Sequence, residues 1–530
     1  MTAPSCSRYP AASPPRVDEG WTLTRLTPPS RLFGANGLRT GPDGRVYIAQ
    51  VTGSQISALD LASGRLDVVS AKGGDIVAPD DIAFDQDGNL YATEVMDGRV
   101  SVRDAAGRTR VLRDDIPSAN GITFHRGRLF IGECREGGRL LELDPGGGPP
   151  RVLLEHAPSP NAMEVGPDGL LYFPLMGANE IWRIDPDGGE PERVAADLGV
   201  PDAVKFDAGG RIVSTQVHSG RVLRIDPRSG ERTVLATLTP GLDNLTFVGE
   251  RLLVSNFTGE ITEILSGGEV RTVLPGGLNW PLDLAVGADG HVYIADGTYF
   301  YALRDGALRT AGMLFSPGYP GFVRGLACLG PREFAVTTSN GQVARYRPGS
   351  NESDVVAEGF DQLYGVAVAP GGAIVVAELG AGRVRSGRPG SVEGVAAGLR
   401  EPVGVAIAPD GACLVTEAAA GRVVRLDGTG AVLDGLQRPQ GIAVSEGRLY
   451  VVDAGAKELI GYDLATKARR TIASGLPVGA PPGVTPRPLL GMPPFSGPQG
   501  PFAGIAAGPD GTLYVSADAD GSLLALHRET

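Results

Sequence analysis

One short pattern recurs about every 40 residues along this chain, and nothing else in the sequence constrains the fold as tightly. A single copy reads PDDIAFDQDGNLYATEV, then DGRVSVRDAAG, then RTRVLRDDI. It is an alternating apolar strand, an Asp-Gly turn, a second strand ending on an acid, and two further strands. The first strand returns at Gly37, Asp81, Gly121, Ala162, Ala203, Asn244, Asp283, Gly325, Gly365, Gly404, Gly441 and Gly504. A four-stranded meander of this length buries both faces only against its neighbours, so the repeat predicts propeller blades. The 78 Gly and 42 Pro of the 530-residue chain supply the turns that such an all-β protein needs, and helical periodicity is almost absent. A single core stops growing near 250–300 residues, so about twelve blades predict two tandem six-bladed β-propellers.

The last repeat, GIAAGPDGTLYVSADADGSLLALHRET, holds three strands, and an unmatched strand, WTLTRLT, precedes the first repeat. We expect Trp21–Thr27 to complete the sixth blade, and EVRTVL, after Ser266-Gly267-Gly268, to open the second ring and complete the twelfth. That places a disordered segment at 1–20, the first propeller at 21–267 and the second at 268–530. The Pro/Gly-rich stretch 475–500 is a long loop of the second ring, a lid or a plain linker.

A net charge of −13 leaves no basic field for nucleic acid or anionic membrane. Four widely spaced cysteines (Cys6, Cys134, Cys328, Cys413) make neither a disulfide framework nor a zinc cluster. No signal-like apolar segment or run of about 18 apolar residues occurs, so the expected location is the cytoplasm. Closed rings need no partner to hide their edges, and the sequence leaves the oligomeric state open.

In a propeller the innermost strand lines the central channel, with its first residue at the mouth. In the first half this position holds Asn36, Asp80, Asn120, Asn161, Asp202 and Asp243; in the second, Leu282, Arg324, Tyr364, Val403, Gln440 and Ala503. The polar ring is therefore not a requirement of the repeat. Converging amide and carboxylate oxygens suit a hard divalent cation, Ca²⁺ or Mg²⁺, although Asn and Asp also satisfy backbone at a strand start. About fourteen residues later stand Gln50, Glu94, Glu133, Leu175, Gln216 and Asn256, matched by Asp296, Glu378, Glu417 and Asp453 in the second half. Acids in both halves favour a structural role in the adjoining turn, with Glu94 and Glu133 retained as general-base candidates. His218 stands beside Gln216 on the same rim, and Asn256 and Asp243 are candidate substrate contacts. No nucleophile elbow, phosphate loop or H-E-x-x-H occurs, and nothing calls for an organic cofactor.

The repeats resemble SMP-30/gluconolactonase-type and NHL-type propellers over nearly all the chain from residue 21. NGITFHRGRLFIGE, PNAMEVGPDGLLYF and PDAVKFDAGGRIVSTQVHSGRVLRIDP are similar to the metal-bearing blades of the former. The resemblance implies that Asn161 and Asp202 coordinate a divalent metal, Asn120 touches substrate or water, and Asp202 doubles as base. Asn36, in GANGLRT, stands where that family carries a metal-binding Glu. Virginiamycin B lyase-like propellers are similar too, but their inner-strand His has no counterpart here. The expected function is a metal-dependent enzyme acting on an oxygen-rich small molecule, by lactonase-like hydrolysis or lyase or cyclase chemistry through Asp202, Asp80 or Glu94. Two alternatives stand beside it. One is a cyclase of a hydrophobic secondary metabolite at the more apolar second mouth of Arg324, Tyr364 and Gln440; the other is a non-catalytic binding scaffold.

Overall fold

A computed structural model describes residues 8–9, 14–388, 391–428, 430–481, 483–485 and 502–529. Each repeat folds as an antiparallel meander, and the described strands form twelve sheets. The only helical turns among them are 3₁₀ turns at Met176–Ala178 and Ala418–Ala420. In the second blade, for example, Pro79–Phe84, Leu90–Glu94, Arg99–Arg103 and Thr109–Arg113 pair in sequence order. Its first turn forms because Asp85 accepts the amides of Asp87 and Asn89 at 3.0 and 2.8 Å, the Asx chemistry that makes Asp a turn residue. The core lies between blades: Val100 and Val102 of the second pack on Ile122 and Ile131 of the third.

The inner strands approach closely at the channel mouth. The Gly37 amide donates to the Asp80 carbonyl at 2.7 Å, and a Cβ on Gly37 would sit 2.5 Å from that oxygen. A Cβ on Gly121 would meet the Asn161 backbone at 2.2 Å. Backbone contact across blades is why the repeat opens on glycine so often. A hydroxyl in the second strand completes the link. Ser255 accepts the Asn244 amide at 2.9 Å and donates to the Asn36 carbonyl at 2.7 Å, joining the sixth blade to the first. Ser516 does the same between Gly504 and Leu282, closing the second ring.

The strands that seal each ring differ from the sequence expectation. Val270–Leu274 pairs with Ile261–Ile264, so EVRTVL finishes the sixth blade and not the twelfth. Trp21–Arg25 pairs with Ser522–Arg528 and finishes the twelfth blade, not the sixth. The physical reason is local. Leu265 and Glu269 close a tight hairpin at 2.8 Å around Gly268 at φ 83°, so Val270–Leu274 takes the adjacent edge at the least loop-closure cost. The twelfth blade is then left for the N-terminal strand.

Compactness follows the same division. Arg31–Gly276 forms one unit, and the described residues of 8–30, 277–483 and 502–529 form the other. The boundary lies at Gly276/Gly277 rather than Gly267, and the first propeller is an insertion in the sequence of the second, between its outer closing strand and its other strands. The described part of 1–20 is ordered, contrary to expectation. Arg8 is buried and donates to the carbonyls of Asn279, Ala519 and Asp518, and Arg16–Val17 pairs with the edge strand Arg469–Ser474. Of the stretch 475–500, residues 482 and 486–500 lie outside the described residues, and with them the lid-or-linker question.

This connectivity predicts unequal fragments. Residues 31–276 alone should show a β-type circular dichroism spectrum and one cooperative urea transition. Residues 277–530 alone should aggregate or unfold noncooperatively, and fusing 14–30 after residue 529 should restore a cooperative transition.

Candidate functional site

The Asn/Asp ring of the first propeller is assembled at one end of its channel. Asn120, Asn161, Asp202 and Asp243 are 7%, 4%, 3% and 4% exposed. Asp80 is half-buried. Burial, with Asp81 next to it, pushes the Asp80 carboxyl up to about 7. Burial and then the charges of Asp80 and Asp81 lift Asp202 well above the usual carboxylate range. Asp243 is lifted in the same way by burial, Asp202 and Asp80, against an opposing hydrogen bond from Asn36. The leading influences on all three acids raise them, the Asn36 hydrogen bond to Asp243 excepted. Three acids that raise one another, Asp202 and Asp243 buried and Asp80 half-buried, make a mouth that favours a positive charge.

Asn36 holds this cluster together more than it presents an oxygen. Its Nδ2 donates to Asp243 at 3.0 Å, while its Oδ1 accepts the Val51 amide at 3.1 Å. Two sulfur atoms complete the mouth, and these the sequence pattern did not flag. Asn161 Nδ2 lies 2.9 Å from Met176 Sδ, and Cys134 Sγ lies 3.9 Å from the same atom. Burial and then Asp202 and Asp80 push the Cys134 thiol upward, which keeps it protonated beside Asn120.

The acids at the end of the second strand do a different task. Glu94 is wholly buried, takes the Val77 amide at 2.6 Å, and is gripped by Arg99 at 2.7 Å and by Ser101. Its carboxyl is raised by burial, with Arg99 working against that. Glu133 is likewise buried and bonded to Arg139 and Arg135 at 3.0 and 3.1 Å. Counterparts in both rings tether the loop that leads into their own blade: Gln216 takes the Gly199 amide at 2.8 Å, Glu378 that of Asp361 at 2.9 Å, and Glu417 that of Arg400 at 2.8 Å. The same tether in the propeller without the polar ring assigns these side chains to loop geometry. Asn256 belongs with them, donating to the Thr239 carbonyl at 2.9 Å. His218 is exposed on the rim, at the edge of the mouth.

In the second propeller Arg324, Tyr364 and Gln440 are 1%, 3% and 5% exposed. The Arg324 guanidinium lies 5.1 Å from the Tyr364 ring centre, and Tyr364 meets Phe502 edge-on at 5.8 Å within a cluster that includes Trp280 and Leu282. Gln440 accepts the Ala503 amide at 2.8 Å. These three side chains pack the second mouth.

The donor chemistry of the first mouth fits a hard cation: buried carboxylates that repel one another, flanked by amides. Among the described residues no three His, Cys, Asp or Glu side chains group closely enough to hold a metal by themselves. A cation there would draw on amide oxygens and water as well.

Comparison with known proteins finds one family model over part of the chain. Residues 24–254 match the model of the SMP-30/gluconolactonase/LRE-like region. No curated protein matches. Among solved structures, virginiamycin B lyase from Staphylococcus aureus is 18% identical, with a TM-score of 0.39 over 52% of this chain and 96% of its own. A gluconolactonase from Xanthomonas campestris is 18% identical, with a TM-score of 0.39 over 48% and 97%. Regucalcin, a calcium-binding protein from Agrobacterium tumefaciens, is 24% identical, with a TM-score of 0.36 over 43% and 84%.

Two outcomes follow from the electrostatics. An acid whose folded-state pKa is raised stabilises the fold only at low pH, and that contribution is lost as pH climbs from about 4, the unfolded value, through the folded value of about 7. In metal-free protein Asp80→Asn should therefore melt higher than the parent at pH 8, by about 2–4 °C per kcal/mol of relieved repulsion, with the gap closing by pH 4. Glu94→Ala should lose about 2–3 kcal/mol in urea denaturation, the cost of stranding the half-buried Arg99 and the buried Val77 amide, whereas a purely catalytic Glu94 would leave stability unchanged.

Proposed function

We propose that the first propeller, whose SMP-30/gluconolactonase/LRE-like region spans residues 24–254, is the catalytic half of a metal-assisted enzyme. Its substrate would be an oxygen-rich small molecule, opened by lactonase-like hydrolysis or by related lyase or cyclase chemistry. The mutually repelling trio Asp80, Asp202 and Asp243 carries this reading, because such repulsion is what a bound cation relieves.

Asp202 and Asn161 would hold the divalent cation, Ca²⁺ or Mg²⁺, and Asp243, fixed by Asn36, would add charge to the site. Such an ion, when bound, polarises a carbonyl as a Lewis acid. The chain's own residues supply the rest. Asn120 and Asn161 present amides that orient substrate oxygens, and the burial of both limits bulk water. Asp80 is the side chain suited to move the proton, being half-buried and poised near neutrality by burial and Asp81. In a hydrolysis it takes a proton from the attacking water as the new carbon–oxygen bond forms. It returns that proton to the departing alkoxide as the ring bond breaks. His218 lies on the rim where substrate would pass. The packed second mouth favours the first channel over a cyclase site at Arg324, Tyr364 and Gln440.

Calorimetric titration of chelator-treated protein with Ca²⁺, Mg²⁺ and Mn²⁺ tests the proposal. One saturable site should appear, weakened at least tenfold in Asp202→Ala and in Asn161→Ala. A screen of γ- and δ-lactones should show metal-dependent turnover that Asp80→Asn abolishes. Binding unaltered in both alanine variants, or turnover indifferent to chelator, would refute it.

A further inference from the structure

Three residues beyond the mouth position, each inner strand places another side chain toward the channel. In the second propeller this register is alanine at all six positions, 285, 327, 367, 406, 443 and 506. Alanine is therefore what the converging strands take by default. The first propeller instead carries Arg39, Ala83, Thr123, Glu164, Lys205 and Thr246. A strand rises about 3.3 Å per residue, so this layer lies about 10 Å below the Asn/Asp mouth, toward the opposite opening.

The charges there are unevenly matched. Glu164 accepts from Arg39 at 3.1 Å and from Lys205 at 3.0 Å, so two cations share one carboxylate. Arg39 is fixed by further bonds to the carbonyls of Ile82 and Ile122 at 3.0 and 2.8 Å. Lys205, only 4% exposed, reaches the Met163 carbonyl at 3.5 Å. These two partners account for two of the three donors of an ammonium group. Asp81 lies behind the cluster, its oxygens engaged by the Ile82 and Ile122 amides and by Asn244. Burial and then the charge of Arg39 lower the Lys205 pKa, against the charges of Glu164 and Asp81.

This cluster opens into a cavity of about 550 Å³ at the opposite end of the channel from the Asn/Asp mouth. Arg39, Glu164, Lys205 and Thr246 line it, and His125 and the exposed Arg126 stand at its rim. Burial and then Arg126 lower the His125 pKa. The other acid of the wall, Asp207, pairs with Arg211 and Arg224 at 3.3 and 2.9 Å. The volume is that of a small-molecule pocket, and it is rich in cationic side chains in a chain of net charge −13.

We propose that this cavity is a second binding site, for a small molecule bearing an oxyanion, a carboxylate or a phosphate, held by Lys205 deep in the channel and by Arg126 at the rim. Charge-assisted hydrogen bonds to Lys205 would complete its donor set, and Arg39 would hold Glu164 in place beside the ligand. The site takes a ligand of opposite charge from that proposed for the other mouth.

Metal-free full-length protein, melted across rising sodium phosphate or disodium succinate at constant ionic strength, tests this. At least one anion should raise the melting temperature saturably; phosphate alone or succinate alone identifies which oxyanion the pocket takes. Lys205→Met should weaken that binding at least tenfold and Arg126→Ala about threefold, while Asp202→Asn at the far mouth leaves it unchanged. If Lys205→Met does not fold, Arg126→Ala, on an exposed turn, decides. No saturable effect of either anion on the parent, or equal binding by the folded charge-removal variants, overturns the proposal. Because no metal is present, failure here leaves the cation reading of the opposite mouth to its own titration.

Discussion

The structure depends on how closely the inner strands of neighbouring blades converge. A second-strand hydroxyl takes an amide of its own inner strand and donates to a carbonyl of the next: Thr215 joins Ala203 to Asp243, Thr337 joins Gly325 to Tyr364, and Thr416 joins Gly404 to Gln440. These bonds satisfy backbone that a curved sheet edge would otherwise bury unpaired. In the blades that carry such a hydroxyl, with Ser255 and Ser516 doing the same, they fix the inner strand in register against that of the next blade. A side chain at a given step of one inner strand therefore faces its equivalents from the other five, and a ring of like residues in sequence becomes a ring in space.

That constraint explains what was legible in the sequence. The blades and the Asn/Asp mouth follow from the repeat alone, because register is set by the repeat. Ring closure was not legible in the same way. WTLTR and VRTVL are both good outer strands, and only the hairpin around Gly268 settles which edge each takes. The role of Glu94 and Glu133 was half visible: equivalents in both propellers argued for structure, but the tethered amides lie 16 or 17 residues upstream in a loop without sequence signature. Cys134 and Met176 follow the second strand directly, at positions where other first-ring blades have Val51, Val95, Val217 and Phe257. Comparing that register across blades would have drawn attention to two sulfurs at the mouth.

The two propellers share a scaffold and differ in what fills the axis. In the first, one end gathers carboxylates and amides, and a lower layer pairs Arg39 and Lys205 with Glu164. In the second, Trp280, Tyr364 and Phe502 pack the mouth, and the lower layer is alanine. The connectivity fits this contrast. The first propeller is continuous in sequence and closes on itself through Ser255 and Asn36, whereas the second borrows Trp21–Arg25 from the far end of the chain. Polar residues along a narrow axis cost stability through desolvation and mutual repulsion. Their concentration in one propeller, where the other carries Leu282, Val403 and Ala503 among the same mouth positions and alanine in the lower layer, supports the proposed placement of the site in the first channel.

On the proposed function, the carboxylates of the first mouth are arranged around a cation. Crystals soaked in Mn²⁺ and measured at its absorption edge test it directly. One strong anomalous peak should stand beside Asp202 and Asn161, with Asp80 close by. A peak confined to surface acids, or none at the first mouth under saturating Mn²⁺, would contradict it.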